Sequence, residues 1–452
     1  MHAEGTGAPT RHVIPWQDPA FTDPAALDAE LRRQFDVCHG CRRCFNLCDS
    51  FPRLFDLIDA AKTGELDGVD SKDFKPVVDA CTLCDMCFMT KCPYVPPHEF
   101  NIDFPHLMLR YRVAENKAGK VTLAQKEVRK TDRNGRLATR MAALANWGSD
   151  VHNKLGRWVL ATFANIHPNA WLPKYQSTSF VERARKHPVT VNASAPAAGK
   201  RKVVLYASCS GNYNKHDVGL ATRAVLAKNG VETVVMHPAC CGMPQLEIGD
   251  LAAVSASAKK VAAELVPMID QGYDVVAMTP SCALMLKFEW PLIAPKDANV
   301  ARLAKATRDV AEYVVEIAKK DGLAEGLKPL AEPMAVHISC HSRAQNMGAK
   351  AAEMLRLIPE ANLTVIERCS GHGGAWGMEK PNFPVALKVG KPVFRRVLDI
   401  ENATNAQVLS ECPLAGDHIV QGVQELDPKA KQAPALQPIQ MLARSYGIEE
   451  PR

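Results

Sequence analysis

The stretch KVVLYASC, residues 202–209, is a short run of apolar and β-branched residues that ends at a cysteine. A helical stretch follows, and then a second run of the same kind, VETVVMHPACCG at residues 231–242. A long Ala-rich stretch separates this run from a third, DVVAMTPSC at residues 274–282. Strands that alternate with helices in this way predict parallel βαβ units.

The same order of elements recurs further along the chain, with strand-like runs that reach or contain Cys340, Cys369 and Cys412. The separations are nearly constant: Cys340 lies 131 residues after Cys209, Cys369 lies 129 after Cys240, and Cys412 lies 130 after Cys282. A constant offset of this size indicates an internal repeat of about 130 residues.

Each of these cysteines follows a predicted strand, and the carboxyl ends of parallel strands form the ligand crevice of an open α/β sheet. We expect two groups, and we interpret the first as a redox centre. The first group is Cys209, Cys240, Cys241 and Cys282, and the second, elsewhere in the molecule, is Cys340, Cys369 and Cys412. Cysteines are also common in cores, but seven at matched strand ends favour a redox or cluster site.

Two histidines accompany the second group. His341 follows Cys340 directly, and His372 lies three residues after Cys369. Either could bind metal as a neutral imidazole, or could simply hydrogen-bond to the backbone. The glycines of GHGGAWG, residues 371–377, are expected to let the chain turn tightly beside a cluster or ligand. No G-x-G-x-x-G opens a helix after a strand, so no intrinsic NAD or FAD site is predicted.

Eight further cysteines lie near the N-terminus, in CHGCRRCFNLC (38–48) and CTLCDMCFMTKCP (81–93). Three cysteines at three-residue steps wrap a loop around a cuboidal cluster, and in two-cluster ferredoxins the last cysteine of each run ligates the other cluster. The spacing therefore predicts two [4Fe–4S] clusters. The first would be held by Cys38, Cys41, Cys44 and Cys92, and the second by Cys81, Cys84, Cys87 and Cys48.

The alternative for these cysteines is a pair of zinc sites, but zinc usually takes two separated C-x2-C pairs, which would make the third cysteine of each run redundant. Two departures from the bacterial ferredoxin pattern stand out. Asp49 rather than proline follows Cys48, and the second run has one extra residue before Cys92. The apolar spacing between the runs suits helices, so we expect a mostly α-helical ferredoxin-like domain.

The composition is that of a globular protein, with 47% hydrophobic and 23% charged residues in 452. The net charge is only +6, so nucleic-acid binding is not predicted. We see neither an apolar run long enough to span a membrane nor the apolar core of a secretory signal. We therefore expect a cytoplasmic protein, and in that compartment clustered cysteines more often bind metal or perform redox chemistry than form disulfides.

The middle of the chain combines a basic segment with an amphipathic one. Residues 117–140 contain eight Lys or Arg against Glu127 and Asp132. This segment is either a solvated helix face or a docking surface for an acidic partner or an anionic membrane. Apolar residues then recur at helical spacing: Leu144, Trp147, Val151, Leu155 and Trp158. Such a stripe is ordinarily part of the core, and a membrane-surface or quinone-adjacent role is the alternative.

These patterns predict an α+β multidomain protein, in which an N-terminal all-α ferredoxin-like two-cluster domain precedes two repeated α/β cysteine-rich units related by a pseudo-twofold. The expected layout is an N-terminal extension (1–34), the ferredoxin-like domain (35–110), a helical connector (111–186), a linker (187–200), the first repeat (201–325), the second repeat (326–435) and a C-terminal tail (436–452).

The cysteine patterns C…PACCG…PSCALM and C…RCSG…ECPLAG resemble the tandem cysteine-rich CCG domain. With two [4Fe–4S] motifs before them, they resemble a family of iron–sulfur subunits. This family is related to the D subunit of heterodisulfide reductase, and it includes the iron–sulfur subunit of glycolate oxidase and the C subunit of anaerobic glycerol-3-phosphate dehydrogenase.

The resemblance implies an electron-transfer subunit of an oxidoreductase complex. It would take electrons from a flavoprotein dehydrogenase or related redox partner and pass them to a quinone or another acceptor. It would lie peripherally on the inner face of the cytoplasmic membrane through a partner.

The chain departs from the family pattern, in which each complete CCG motif has five cysteines and holds a noncubane cluster that cleaves a disulfide. Met285 takes the place of the last cysteine in the first repeat, and Ser370 and Ala415 replace two cysteines in the second. A thiol or disulfide reductase centred on the first repeat is the alternative function, and a zinc-stabilised scaffold or sensor is a third.

Overall fold

The computed structural model describes residues 9–430 and 433–448, apart from the side chains of residues 403 and 404. It combines many helices with small parallel sheets, and the predicted α+β class is confirmed. The sheets lie in the part of the chain after residue 201. Among the described residues, no helix is both long and apolar enough to cross a membrane.

The N-terminal part is helical, and both cysteine runs lie at helix ends. Asp23 caps the first helix through its side chain, and Pro24 occupies the first turn, where a missing N–H costs nothing. This helix ends at Cys41, because Arg42 adopts a left-handed conformation. The helices of this part are α1 (Pro24–Cys41), α2 (Ser50–Asp59), α3 (Lys75–Ala80) and α4 (Phe104–Lys117).

The connector is also helical. Its helices are α5 (Leu123–Val128), α6 (Thr131–Arg140), α7 (Ala142–Ser149), α8 (Lys154–Phe163) and α9 (Phe180–Lys186). The spacing alone favoured packing of the amphipathic stripe of α7 and α8 into the core, but the stripe does not pack there. Leu144, Trp147, Leu155 and Trp158 are 54–67% exposed.

The first repeat contains a four-stranded parallel sheet in the order β2–β1–β3–β4. Its strands are β1 (Lys202–Tyr206), β2 (Glu232–Met236), β3 (Tyr273–Ala277) and β4 (Thr307–Asp309). Its helices are α10 (Ser208–Tyr213), α11 (His216–Lys228), α12 (Met243–Leu246), α13 (Leu251–Asp270), α14 (Pro280–Leu284), α15 (Trp290–Ile293), α16 (Ala298–Ala306) and α17 (Val310–Lys320).

The second repeat contains a three-stranded parallel sheet in the order β6–β5–β7, so β5 is central as β1 is in the first repeat. Its strands are β5 (Met334–His337), β6 (Leu363–Ile366) and β7 (Gln407–Ser410). Its helices are α18 (Cys340–Arg343), α19 (Lys350–Leu355), α20 (Phe383–Thr404), α21 (Pro413–Leu426) and, after residue 435, α22 (Pro438–Ser445).

The segment from residue 436, for which the sequence predicts a tail, completes the second repeat instead. Leu436 forms a parallel bridge to Leu409 of β7, on the side where β4 pairs with β3 in the first repeat. Helix α22 comes directly after this bridge, just as α17 comes directly after β4 in the first repeat. Its residues Ile439 and Leu442 are fully buried. The segment therefore occupies the fourth-strand position of its repeat, with a helix behind it.

The predicted parts of the chain share cores and are not separate globules. One apolar cluster joins Phe35 and Leu109 of the N-terminal helices to Val204 and Leu265 of the first repeat. A second cluster joins both repeats, and Ala197 of the predicted linker is fully buried within it. Side chains from all these parts can therefore meet at one site.

Candidate functional site

Four thiols of the N-terminal part surround one small cavity. Cys38, Cys41, Cys44 and Cys92 line it, together with Phe51 and Phe55. Burial, followed by the neighbouring thiols of Cys92, Cys44 and Cys41, raises the pKa of Cys38 well above its ordinary value. An iron–sulfur cluster that took up these thiols as thiolates would relieve that penalty.

The extra residue before Cys92 has a local structural explanation. Residues Cys87–Lys91 form a π-helical turn, and the backbone N–H of Cys92 donates to the carbonyl of Cys87 at 2.8 Å. A π turn is wider than an α turn by one residue, so it absorbs the insertion. The turn brings Cys92 back to the thiols of the first run.

The other four thiols of this part form a neighbouring group. Burial raises the pKa of Cys48 well above its ordinary value, and the thiols of Cys84 and Cys81 add to the effect. Burial likewise raises the pKa of Cys87, with contributions from Cys44, Cys84, Cys81 and Cys48. Cys44 is therefore close to Cys87, and the two thiol groups adjoin.

The donor chemistry of both groups fits iron–sulfur clusters, since each offers four thiols that are buried or half-buried within a mostly apolar shell. Among the described residues, no three His, Cys, Asp or Glu side chains are grouped so that they could hold one metal ion. The cluster type and the ligand assignment stay predictions.

A cavity of about 900 Å³ lies beside these groups. All seven cysteines of the repeats line it, so the structure brings together the two sets that the sequence placed apart. Cys84 of the N-terminal part also lines it. The remaining walls are largely apolar and include Trp147, Leu155 and Leu160 of the connector.

The thiols of the first repeat form two close pairs. The Sγ atoms of Cys209 and Cys240 lie 3.8 Å apart, and those of Cys241 and Cys282 lie 3.3 Å apart. The thiols of Cys209 and Cys241 hold the pKa of Cys240 well below its ordinary value. The backbone N–H of Gly242 also donates to Cys240 Sγ, at 3.5 Å.

The second repeat reproduces this arrangement at the equivalent positions. The thiol of Cys340 lowers the pKa of Cys369 to about 7, against the effect of burial. The backbone N–H of Gly371 donates to Cys369 Sγ at 3.3 Å, as that of Gly242 does to Cys240. Both glycines have a positive φ, +82° at Gly242 and +79° at Gly371. The turn that holds the sulfur is therefore the same in both repeats, although Ser370 replaces the second cysteine.

A series of neighbouring thiols connects the N-terminal groups to the repeats. The thiols of Cys369 and Cys84 are the main causes that raise the pKa of Cys340. Burial raises the pKa of Cys412 to about 11, and the thiol of Cys282 across the cavity contributes. The N-terminal thiols thus reach the second repeat through Cys84 and Cys340, and Cys412 of that repeat interacts electrostatically with Cys282 of the first.

The two histidines differ in their surroundings. His341 Nδ1 lies 2.7 Å from Ser281 Oγ, so it joins the second repeat to the first. His372 is buried, which lowers its pKa to about 3, and its Nε2 has no hydrogen-bond partner among the described residues. His372 also lines the cavity, but its Nε2 atom is buried rather than exposed to that space.

The sequence did not reveal that the connector braces the cysteines. Asp132 accepts from the backbone N–H of Cys240 at 2.5 Å and contacts His237 Nε2 at 2.7 Å. Arg129 is buried and pairs with Glu379 at 2.9 Å. Asp132 and Arg129 both belong to the basic segment, residues 117–140, and the sequence showed only the charge of that segment.

Comparison with known proteins agrees with this geometry. Residues 203–287 match the family model described as the cysteine-rich CCG domain. The chain carries a CCG domain. The match begins at β1 and ends after Cys282, so it contains the whole set of first-repeat thiols around the cavity.

The CCG domain is accompanied by wider similarity to proteins of known function. The chain is 28% identical over 291 residues to the C subunit of anaerobic glycerol-3-phosphate dehydrogenase of Escherichia coli K12, covering 62% of this chain and 69% of that protein. It is 24% identical to the B subunit of fumarate reductase (CoM/CoB) of Methanothermobacter marburgensis, covering 60% of this chain and 48% of that protein. It is 26% identical to the D subunit of the dihydromethanophenazine:CoB–CoM heterodisulfide reductase of Methanosarcina acetivorans, and this match covers 50% of this chain and 55% of that protein.

The resemblance that the cysteine patterns indicate is therefore confirmed. These relatives are subunits of dehydrogenase and reductase complexes, which supports an electron-transfer role and iron–sulfur clusters for a chain with a CCG domain. The chain spans about half the length of the second and third of these relatives.

Proposed function

We propose that this chain is the iron–sulfur electron-transfer subunit of an oxidoreductase complex. The observation that carries the proposal is that Cys84, in the predicted second cluster motif, lines the same cavity as all seven cysteines of the repeats. Electrons that reach the N-terminal thiol groups would then have a route to a molecule in the cavity.

In this proposal, Cys38, Cys41, Cys44 and Cys92 hold one [4Fe–4S] cluster, and Cys81, Cys84, Cys87 and Cys48 hold the other. When bound, such clusters accept and release single electrons. The protein supplies thiolates, burial and hydrogen bonds to the sulfurs, and these set the potentials. Arg112 lies beside the second group: its guanidinium donates to the carbonyls of Cys81 and Val78, and its charge opposes the rise that burial causes in the pKa of Cys81.

The donor in this proposal is a flavin-dependent dehydrogenase or a related redox partner, as in the family that the chain resembles. The acceptor binds in the large cavity. The apolar walls favour a molecule with a flat, mainly apolar body, such as a quinone. The complex would act on the inner face of the cytoplasmic membrane.

The test uses the full chain, purified without oxygen. We expect about eight irons with matching acid-labile sulfide if two [4Fe–4S] clusters are present, and a paramagnetic signal after reduction with dithionite. Cys48→Ser should remove about half of the iron, whereas Cys412→Ser should leave the N-terminal clusters intact. Protein without a reducible iron–sulfur signal would contradict the proposal.

A thiol or disulfide reductase is the second candidate, favoured by the 3.3 Å contact between Cys241 and Cys282 and by the lowered pKa of Cys240. A thiol with a low pKa is the stronger nucleophile at neutral pH. The test is turnover of a disulfide with an artificial one-electron donor. Turnover that survives Cys241→Ser would reject this candidate.

A further inference from the structure

We propose that the exposed apolar face of α7 and α8, with the basic residues beside it, binds directly to an anionic lipid bilayer. Of the fourteen large apolar side chains exposed in the described part of the chain, ten lie between residues 123 and 163. A concentration of this kind marks an interaction surface, whereas isolated exposed apolar residues do not.

The apolar side chains share one face because of their spacing. On α8, Leu155, Trp158, Val159 and Phe163 recur at three- and four-residue steps and are 40–70% exposed. Helix α7 packs beside α8 and adds Trp147, which is 62% exposed. Two exposed tryptophans on one face suit the headgroup region of a membrane, where an amphipathic ring finds both an apolar and a wet environment.

The opposite side of α8 is fixed to the protein. Arg157 is buried, and its guanidinium donates to the carbonyls of Pro168, His167 and Ala170 at 2.6–2.7 Å. The helix therefore cannot easily rotate its apolar side inward, and the face remains outside.

The charges next to this face select anionic lipid as the occupant. Arg136 and Arg140 on α6 and Lys154 at the start of α8 are exposed, and none of them pairs with an acidic residue among those that the structure describes. Basic side chains that flank an apolar helix face are attracted by the negative potential of an anionic bilayer. An apolar helix face flanked by basic side chains suits the interface plane of a membrane, and α8 presents such a face while its other side is held against the protein.

The same surface borders the mouth of the large cavity. Leu137, Trp147, Leu155 and Val159 are exposed and also line the cavity. A bilayer bound here would cover that mouth, so an acceptor dissolved in the lipid could enter without crossing water. Only this consequence rests on the proposed function; the binding to lipid does not.

The experiment is co-flotation of the full chain with vesicles at about 0.05 M salt. We expect binding to phosphatidylcholine vesicles that contain about one third phosphatidylglycerol, much weaker binding to pure phosphatidylcholine, and release at about 0.5 M salt. Lipids with brominated chains should quench tryptophan emission only with the anionic vesicles.

Two double variants test the surface. Arg136→Gln with Arg140→Gln should weaken binding to anionic vesicles roughly thirty-fold, because two basic contacts are lost. Trp158→Ser with Phe163→Ser, which lie outside the cavity lining, should weaken it at least about tenfold. The matched controls are Lys259→Gln with Lys260→Gln, and Val13→Ser with Phe288→Ser, which remove the same charge or exposed apolar groups elsewhere and should bind like the wild type.

Three outcomes would overturn the proposal. The first is no binding to anionic vesicles, and the second is an equal loss of binding in the variants and their controls. The third is a wild-type dimer that does not bind vesicles and that dissociates when Trp158→Ser and Phe163→Ser are introduced, which would assign the face to a second copy of the chain. Failure of the proposed function appears separately, as absent iron–sulfur signals in protein that still binds vesicles.

Discussion

Gly371 and Gly242 are equivalent residues that should respond very differently to the same substitution. Both hold a positive φ, so alanine at either position costs about 1–2 kcal/mol of backbone strain. At Gly242 the added Cβ would lie 3.4 Å from Val254, an ordinary van der Waals contact. At Gly371 it would lie 2.0 Å from the carbonyl oxygen of Ala386 in α20. Backbone cannot rotate away, so α20 or the cysteine loop must move.

Overpacking of this kind costs about 1–3 kcal/mol in addition. Gly371→Ala should therefore lower the free energy of unfolding by about 2–5 kcal/mol, and Gly242→Ala by about 1–2 kcal/mol. The measurement is urea unfolding under reducing, anaerobic conditions, followed by circular dichroism. Equal losses in the two variants would refute the reasoning, because they would show that the close approach of the loop to α20 does not exist in solution.

Two further predictions concern buried charges. Arg11→Met should destabilise the fold by about 3–5 kcal/mol in the same urea assay, because it leaves the carboxylates of Asp85, Asp103 and Glu289 without the cation that they share; a loss below about 1 kcal/mol would count against this network. Burial raises the pKa of Glu247 to about 7, so the stability that this carboxyl contributes is present below about pH 4.5 and is lost as pH rises through about 7. The free energy of unfolding of Glu247→Gln should therefore exceed that of the wild type by about 3 kcal/mol at about pH 8 and by little at about pH 5. Wild type and variant whose stabilities change in parallel with pH would contradict this.

Much of the repeat architecture could be read from the sequence. β1, β2 and β3 fall within the three runs of apolar residues that end in cysteines, and the constant offset placed β5, β6 and β7. The strand β4 was missed because its three residues, Thr307–Asp309, carry no run of β-branched residues. Leu436 was missed for the same reason, since a single bridge leaves no periodic signal.

The candidate site was harder to predict, because its arrangement depends on contacts between distant segments. Spacing located the cysteines, but it could not show that both repeats face one cavity or that Cys84 reaches it. The bracing of Cys240 by Asp132 spans more than one hundred residues, and no local pattern predicts it. The exposed stripe of α7 and α8 shows a different limit of sequence analysis. Periodicity shows that one face of a helix is apolar, but it does not show what covers that face.

The exchange of Cys241 for Ser370 at equivalent positions leaves the two halves of the cavity unequal, with four thiols on one side and three on the other. The three-thiol half adjoins Cys84 through Cys340. Two identical halves would give a bound molecule no preferred orientation. The exchange of one sulfur for oxygen makes the two sides chemically different, so a molecule bound between them would meet unequal surroundings at its two ends.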